Sequence, residues 1–240
     1  MRIHQFLSKS GLFPTKEKAI LAIKSGQIKV GNKTMLSEQY MFNERKERVY
    51  YKNEHVTLKD KQLIALNKPK GYICAKLKEN DRERGKKSVY DLLPKNMQHL
   101  SCVGRLDEQS SGLLFMTNDG ELHQEIISKE NNISKKYIVQ VEKELTNNDC
   151  IALAQGIIIT LEENGSITEY KTKPCRVKKI DDKKIEIILS EGKKRQIRRM
   201  IKAINNEVIQ LERIQIGQYV LDKNKISQGK YVELKNDEIK

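Results

Sequence analysis

The chain of 240 residues lacks the sequence features that mark membrane-spanning, secreted and metal-binding proteins. No apolar stretch approaches the roughly 20 residues of a membrane-spanning helix, and the N-terminus lacks the apolar run of a signal peptide. The four cysteines are widely scattered and the four histidines form no HExxH pattern, so neither type has the spacing of metal ligands. Scattered thiols suit a reducing compartment. We therefore expect a cytoplasmic protein with no membrane segment and no metal site.

Acidic residues are also under-represented relative to basic ones. The chain has 46 Lys and Arg against 32 Asp and Glu, which gives a net charge of +14 and an isoelectric point near 9.5. Such a surface favours the binding of a polyanion, because each phosphate that a cation contacts releases counterions. Nucleic acid is therefore the first candidate partner, and a solvated coat of lysines is the alternative.

The spacing of apolar residues and the charge predict that residues 1–58 form a separate basic module. Apolar residues at helical spacing predict a first helix that ends at Gly11 and a second that begins after Thr15 and ends at Gly26. Short apolar segments that follow predict two strand pairs. Residues 1–36 hold seven Lys and Arg against one Glu, and the candidate RNA contacts among them are Arg2, Lys9, Lys16 and Lys24.

Residues 62–236 are predicted to form a larger α+β domain, after a short polar linker at residues 59–61. Its apolar segments predict strands of a mixed, largely antiparallel sheet at 63–66, 72–75, 113–117, 137–141, 157–159 and 185–189. Helical patterns lie at 120–128, 147–155 and 194–204. Residues 76–87 (KLKENDRERGKK) have almost no apolar content and are predicted to be an exposed loop.

The polar segment 104–112 (GRLDEQSSG) is the first candidate for chemistry. It precedes an apolar strand and has glycine at both ends, which is where a scaffold presents reactive side chains. Asp107 can serve as a nucleophile or a general base, and a nearby arginine such as Arg105 keeps a carboxylate ionised. An ordinary Asx turn with a surface ion pair is the alternative interpretation.

A helix with two distinct faces is the second candidate. Apolar residues recur on one face of 194–204, and cations at i, i+3, i+4 and i+7 recur on another. Such a helix can pack on a sheet while its cations hold a phosphate backbone. The predicted RNA contacts in and before this helix are Lys193, Lys194, Arg195, Arg199 and Lys202, and Arg105 of the segment 104–112 is a further predicted RNA contact. Solvated charge is the alternative interpretation.

The segment KKYIVQVE (135–142) alternates between apolar and polar residues like a half-buried strand. Tyr137 then points to the same face as Val139 and Val141. By pattern alone, Tyr137 is an ordinary core tyrosine.

Together these stretches resemble the pseudouridine synthases that act on ribosomal RNA, in the branch with an N-terminal RNA-binding module. The resemblance covers nearly the whole chain. Its most specific blocks are GRLDEQSSGLLFMTNDG (104–120) and EGKKRQIRRM (191–200), and LNKPKGY (66–72), KKYIV (135–139) and LERIQIG (211–217) follow the family's order. Residues 1–12 and 24–33 resemble the small alpha-L RNA-binding module first known from a ribosomal protein.

The resemblance implies a role for three residues. Asp107 corresponds to the family's nucleophile, Tyr137 to the tyrosine that stacks on the target base and assists proton removal, and Arg198 to the arginine that pairs with the aspartate. It also implies a sheet crossed by a cleft, no cofactor, a monomeric enzyme and ribosomal RNA as the partner. By overall similarity, the C-terminal run 217–234 and the segment 170–174 resemble the enzymes of small-subunit RNA slightly more than the others.

Two other functions remain open at this point. A non-catalytic RNA-binding or ribosome-assembly factor would share the charge and the modules, with the Asp107 segment serving only as a turn. A hydrolase that releases uracil would share the aspartate, but it usually needs a second carboxylate in a matched position. Detection of pseudouridine or of free uracil separates these alternatives.

Overall fold

The computed structural model describes residues 1–13, 15–128, 130–163 and 165–239. The chain divides into two compact units. Unit 1 comprises Met1–Gln62 together with Leu93–Ser101, and unit 2 comprises Leu63–Leu92 together with Cys102–Lys240. The division at 62 lies close to the predicted linker, whereas the return of 93–101 to unit 1 is not visible in any sequence pattern.

Unit 1 has two helices followed by a small antiparallel sheet. Helix α1 spans Ile3–Ser10 and ends at Gly11, whose left-handed backbone has φ 69°. Helix α2 spans Lys16–Lys24, and the Thr15 side chain accepts a hydrogen bond from the Lys18 amide at its start. The sheet has the order β2-β1-β3-β4, with strands β1 (Ile28–Val30), β2 (Lys33–Thr34), β3 (Val49–Tyr51) and β4 (Glu54–Val56). These elements agree with the sequence prediction for the first module.

A hydrophobic core of its own stabilises unit 1. The buried faces of α1 and α2 pack on the sheet, and Phe6 meets Phe42 edge to face at 5.4 Å between ring centroids. Ile3, Leu7 and Ile23 are fully buried. The lysines and Arg2 of the two helices are left at the surface or partly exposed.

Unit 2 is built on a nine-stranded sheet. Seven strands follow the order β13-β14-β10-β15-β9-β5-β17, with β16 paired to β15 and β8 paired to β9. Its strands are β5 (Leu63–Lys68), β8 (Ser101–Val103), β9 (Ser111–Thr117), β10 (Lys135–Val141), β13 (Arg176–Asp181), β14 (Lys184–Leu189), β15 (Val208–Ile216), β16 (Tyr219–Val220) and β17 (Tyr231–Leu234). Strands β9 and β15 pair in parallel, and the other pairs along this path are antiparallel. The predicted mixed, largely antiparallel α+β fold is confirmed.

Two further strand pairs lie outside this sheet. Strands β6 (Tyr72–Ile73) and β7 (Lys87–Ser88) pair in parallel, and strands β11 (Ile158–Glu163) and β12 (Ser166–Lys171) form an antiparallel hairpin. The prediction that 72–75 and 157–159 belong to the main sheet is therefore wrong. A short apolar run indicates a strand but carries no information about its partner.

The helices of unit 2 are α3 (Glu79–Glu83), α4 (Gly120–Ile127), α5 (Asn147–Gln155) and α6 (Gln196–Ala203), with short 3₁₀ turns at Val89–Leu92 and Asn236–Ile239. A further 3₁₀ turn, Lys95–Met97, belongs to unit 1. Helices α4, α5 and α6 cover the sheet through two apolar clusters. Residues of α5 and α6 pack with β10 and β14 in one cluster, and those of α4 pack with β5 and β9 in the other. The sheet thereby holds the ends of β9, β10 and β15 in fixed positions.

The charged segment 76–87 is exposed as predicted, but it is not a simple loop. It contains helix α3, whose residues Asp81 and Arg82 form ion pairs with residues that follow the helix. Arg82 contacts Asp91 at 3.0 Å and Lys86 contacts Asp81 at 3.2 Å. These pairs connect the helix to the residues after it, although exposed ion pairs contribute little to stability.

Within the described residues, no helix is long and apolar enough to cross a membrane. Over the same ranges, no cluster of three or more His, Cys, Asp or Glu side chains could hold a metal ion.

Candidate active site

The segment 104–112, called the Asp107 loop below, joins β8 to β9. It enters and leaves through glycines with left-handed backbone, at φ 65° for Gly104 and 97° for Gly112. A Cβ atom at position 112 would lie 2.2 Å from the carbonyl oxygen of Arg213, because β9 and β15 approach closely where they pair in parallel. Glycine at 112 is therefore required by the sheet itself.

A buried lysine anchors the middle of the Asp107 loop. Lys68, at the end of β5, is 0% exposed, and its Nζ donates to backbone carbonyl oxygens at both sides of the loop. The distances are 2.6 Å to Ser110, 3.0 Å to Pro69, 3.2 Å to Asp107 and 3.4 Å to Glu108. Burial lowers the pKa of Lys68. The sequence analysis did not identify this residue, although a lysine that ends a continuous apolar strand was a signal for it.

A buried arginine holds the two ends of the same loop. Arg213, on β15, is 1% exposed. Its Nε donates to the carbonyl oxygen of Leu113 at 2.7 Å, and its Nη2 donates to that of Gly104 at 3.3 Å. The loop is thus fixed at its ends by one cation and in its middle by another. Arg213 was also missed, because only the tertiary pairing of β15 with β9 brings it to the loop.

The structure brings Asp107 and Arg198 together, as the resemblance implies. Asp107 Oδ2 lies 4.0 Å from Arg198 Nε and 4.0 Å from Arg195 Nη1. The Asp107 side chain is 32% exposed, against 14% for Arg198 and 48% for Arg195. One carboxylate therefore faces two guanidinium groups, of which only the first was expected as its partner.

Arg198 also ties helix α6 to the Asp107 loop. Its Nη2 donates to the Gln109 carbonyl oxygen at 2.7 Å, and its Nη1 donates to that of Val208 at 3.3 Å. Burial and the nearby Arg195 lower the pKa of Arg198, and Asp107 opposes this effect. Its Nε is buried and has no hydrogen-bond acceptor among the described residues. A shift of about 1 Å in Asp107 would supply that acceptor.

Helix α6 begins two residues later than predicted. Arg195 is not in the helix but precedes it in a left-handed conformation, with φ 53°. The buried Gln196 causes this start, because its side chain accepts from the Lys193 amide at 2.8 Å and donates to Glu191 at 2.7 Å. The prediction that Arg195 is the first of four cations on one helix face is therefore wrong. Arg195 instead lies 4.0 Å from Asp107.

Glu191 fixes the basic segment 193–195 from the other side. Its carboxylate accepts from the Tyr170 hydroxyl at 2.6 Å and from the Lys173 amide at 3.0 Å. Lys193 Nζ lies 4.5 Å from the centre of the Tyr170 ring, which is a cation–π contact. The segment that carries three consecutive cations is thereby positioned by a buried amide and a carboxylate.

These elements surround a cavity of about 470 Å³ within unit 2. That volume lies in the range of about 300–1,000 Å³ usual for ligand sites. Asp107 and Tyr137 both line it, and so do Cys74, Leu189 and Leu211. Tyr137, near the start of β10, is partly buried; it packs against the apolar cluster of β10 and β14 and also lines the cavity.

The predicted RNA-contacting cations fall into three groups. Lining the cavity are Arg105, Lys193, Lys194 and Arg195. Arg199 and Lys202 lie on α6 outside the lining; Arg199 Nη1 donates to the Lys194 carbonyl oxygen at 2.8 Å, and Lys202 is exposed. The members in unit 1 are Arg2, Lys9, Lys16 and Lys24.

Comparison with known proteins identifies the family of this chain. Residues 62–203 match the family model described as RNA pseudouridylate synthase, a range that contains Asp107, Tyr137 and Arg198. The ribosomal small subunit pseudouridine synthase A of Haemophilus influenzae is 30% identical, over 100% of this chain and 98% of that protein. An uncharacterized RNA pseudouridine synthase of Bacillus subtilis, YtzG, is 31% identical over 100% of this chain and 97% of its own length.

A solved structure agrees with these relatives. The crystal structure of a pseudouridylate synthase superposes with a TM-score of 0.69 at 28% identity, covering 100% of this chain and 98% of that one. The matched sequence range, the full-length relatives and the shared fold all point to one conclusion: the chain belongs to the RNA pseudouridylate synthase family.

Proposed function

We propose that this enzyme converts uridine to pseudouridine in ribosomal RNA, and that its substrate is the RNA of the small subunit. The observation that carries the proposal is the carboxylate of Asp107, which lines one cavity with Tyr137 and Arg195 and lies 4.0 Å from Arg198 Nε. The small-subunit choice is supported by full-length similarity to a small-subunit enzyme.

The reaction begins with extrusion of the target uridine from its stack. Extrusion costs a few kcal/mol, and phosphate contacts offset that cost. The cations at the cavity suit this role, because Arg105, Lys193 and Lys194 line it together with Asp107. The cavity volume of about 470 Å³ suits one nucleoside.

The chemistry then requires an ionised Asp107. Its carboxylate assists cleavage of the bond between N1 of uracil and C1′ of the ribose, either by attacking the sugar or by stabilising an enzyme-bound sugar intermediate. The uracil turns, its C5 bonds to C1′, the C5 proton leaves and N1 carries a proton in the product. Arg198 and Arg195 each place a guanidinium nitrogen 4.0 Å from the carboxylate, and the Tyr137 ring can stack on the base.

Because the product has the same atoms as the substrate, the balance of the reaction requires no cofactor. Water must be kept from the intermediate, since hydrolysis would release the base. The buried side chains of Leu106 and Ile197 supply apolar wall to the cavity.

The proposal is tested by mapping modified positions. Purified protein is incubated separately with small-subunit and large-subunit ribosomal RNA, and pseudouridine is located by carbodiimide treatment and reverse transcription. We expect new stops in the small-subunit RNA alone. Modification of only the large-subunit RNA would contradict the choice of subunit, whereas binding without modification in either RNA, or release of free uracil, would contradict the reaction. The monomeric state and the cytoplasmic location remain predictions.

Substitutions at Arg198 and Lys202 can distinguish a contribution to turnover from a contribution to RNA affinity, since each residue contributes one positive charge to helix α6. Arg198→Gln should lower kcat by about 100-fold with a small change in RNA affinity, because Arg198 holds the Asp107 loop. Lys202→Gln should weaken RNA binding by about threefold and leave kcat unchanged. Single-turnover kinetics and filter binding measure the two quantities, and equal loss of affinity in both variants would contradict the division.

Unit 1 is expected to add RNA affinity without taking part in chemistry. Because unit 1 includes 93–101 as well as 1–62, neutralising its cations is a cleaner test than deletion. Lys9→Gln, Lys16→Gln and Lys24→Gln together should reduce the slope of log affinity against log salt by about 2, at about 0.7 per phosphate contact. Lys178→Gln on strand β13, which no prediction includes, is the control. An unchanged slope in the triple variant would mean that these lysines are only solvated.

A further inference from the structure

Glu191 lines the cavity, and the proposed reaction does not use it. It lies two residues after β14 and is partly buried. Both of its carboxylate oxygens accept hydrogen bonds, Oε2 from the Tyr170 hydroxyl at 2.6 Å, and Oε1 from the Lys173 amide at 3.0 Å and from Gln196 Nε2 at 2.7 Å. All three donors are neutral groups, so these bonds fix the position of the carboxylate rather than balance its charge.

One anchor of Glu191 lies in the hairpin β11–β12. Tyr170 is the second-last residue of β12, and its ring also contacts Lys193 Nζ, which lies 4.5 Å from the ring centre. The hydrogen bond to Glu191 raises the pKa of the Tyr170 hydroxyl. The hairpin outside the main sheet is therefore connected through Glu191 to the basic segment that precedes α6.

Gln196 carries the position of Glu191 into the turn 193–196. It is 4% exposed, and its side chain joins Glu191 to the Lys193 amide, whose nitrogen lies 2.8 Å from Gln196 Oε1. The Gln196 amide in turn donates to the Lys193 carbonyl oxygen at 3.1 Å. One buried residue thus closes the turn through its side chain and its backbone, and Glu191 holds that side chain in place.

Arg195 lies inside this turn. Its backbone is left-handed, with φ 53° and ψ 31°, a conformation that is unfavourable for a residue with a Cβ atom. Such a conformation persists only where the surrounding structure holds it. It keeps Arg195 out of α6 and brings its Nη1 to 4.0 Å from Asp107 Oδ2.

We propose that Glu191 is a positioning residue of the active site. Through Gln196 it holds the left-handed Arg195, and with it the guanidinium group that faces Asp107. Glu191 itself touches no reacting atom and transfers no proton. Its effect on turnover rests on the proposed function, whereas its effect on the turn 193–196 does not.

Two substitutions of Glu191 separate position from charge. Glu191→Gln keeps an oxygen that can accept from both amide donors, and its own amide can donate to the Tyr170 hydroxyl oxygen. Glu191→Ala removes all three contacts. We expect Glu191→Ala to lower the single-turnover rate of pseudouridine formation by about tenfold with RNA affinity within about threefold, and Glu191→Gln to retain the rate within about threefold.

A double-mutant cycle tests whether the effect acts through Arg195. Added to Arg195→Gln, Glu191→Ala should lower the rate by less than about twofold further. Asp149→Ala is the matched control, because Asp149 also accepts two hydrogen bonds at the start of a helix, from Thr146, but lies outside the cavity lining. It should leave the rate and the RNA affinity unchanged.

Hydrogen exchange of the free protein measures the turn without reference to catalysis. The amides of Lys193 and Gln196 should exchange at least about tenfold faster in Glu191→Ala, because the side chain that closes the turn loses its anchor. Their exchange should be unchanged in Glu191→Gln and in Asp149→Ala.

Four results would overturn the proposal. They are unchanged exchange in Glu191→Ala, a normal rate in that variant, equal losses of rate in Glu191→Ala and Glu191→Gln, and a loss in the Arg195→Gln background as large as the loss alone. The third would assign the effect to the charge of Glu191, and the fourth to a route other than Arg195. If the unmutated enzyme forms no pseudouridine, the proposed function fails, and hydrogen exchange still decides whether Glu191 holds the turn.

Discussion

Asp107→Asn should abolish pseudouridine formation while RNA still binds. Asparagine keeps the size of the side chain but lacks the negative charge and the nucleophilic oxygen, so we expect a loss of at least about 1,000-fold in single-turnover rate. Affinity should change little, since four cations line the same cavity, namely Arg105, Lys193, Lys194 and Arg195. Filter binding and carbodiimide mapping on the same RNA measure the two effects.

Glu108→Gln is the matched control for this variant. Glu108 also lines the cavity and is adjacent in sequence, so its substitution removes the same charge from nearly the same place. We expect turnover within about fivefold of the unmutated enzyme, because only charge at the rim changes. Equal losses of turnover in both variants would mean that Asp107 acts through the electrostatic field at the cavity rather than as the reacting group.

Lys68→Met should damage both stability and turnover. Methionine fills similar space without an ammonium group, so four backbone carbonyl oxygens lose a donor that water cannot replace. We expect the free energy of unfolding to fall by about 2–4 kcal/mol. Turnover should fall by about 100-fold even at temperatures where the protein stays folded, because the Asp107 loop loses its position.

Lys70→Met separates this effect from a general loss of charge. Lys70 is exposed and lies two residues away, so the same substitution there should leave unfolding and turnover nearly unchanged. Urea denaturation and single-turnover rates of the two variants give the comparison. A Lys68→Met protein with normal turnover would show that the loop keeps its shape without the lysine.

Local patterns predicted a large part of the architecture. The ends of α1 at Gly11 and of α2 near Gly26 and the helix Asn147–Gln155 follow from residues that act on their own neighbourhood. The resemblance paired Asp107 with Arg198, and the structure brings those side chains together.

What could not be predicted depends on partners far away in the chain. No local pattern assigns 157–159 to a separate hairpin rather than to the main sheet. The left-handed backbone at Arg195 depends on the Gln196–Glu191 hydrogen bond, which helical periodicity does not register. Lys68 and Arg213 look like isolated charges in apolar strands until the sheet brings both to the Asp107 loop.

Those two cations come from the strands on either side of β9, namely β5 and β15. The loop's anchors are therefore separated along the chain, with one near the start of unit 2 and the other at residue 213. A nascent chain on a translating ribosome that ends before Arg213 has only one of them. The Asp107 loop can acquire its final shape only after residue 213 has been synthesised.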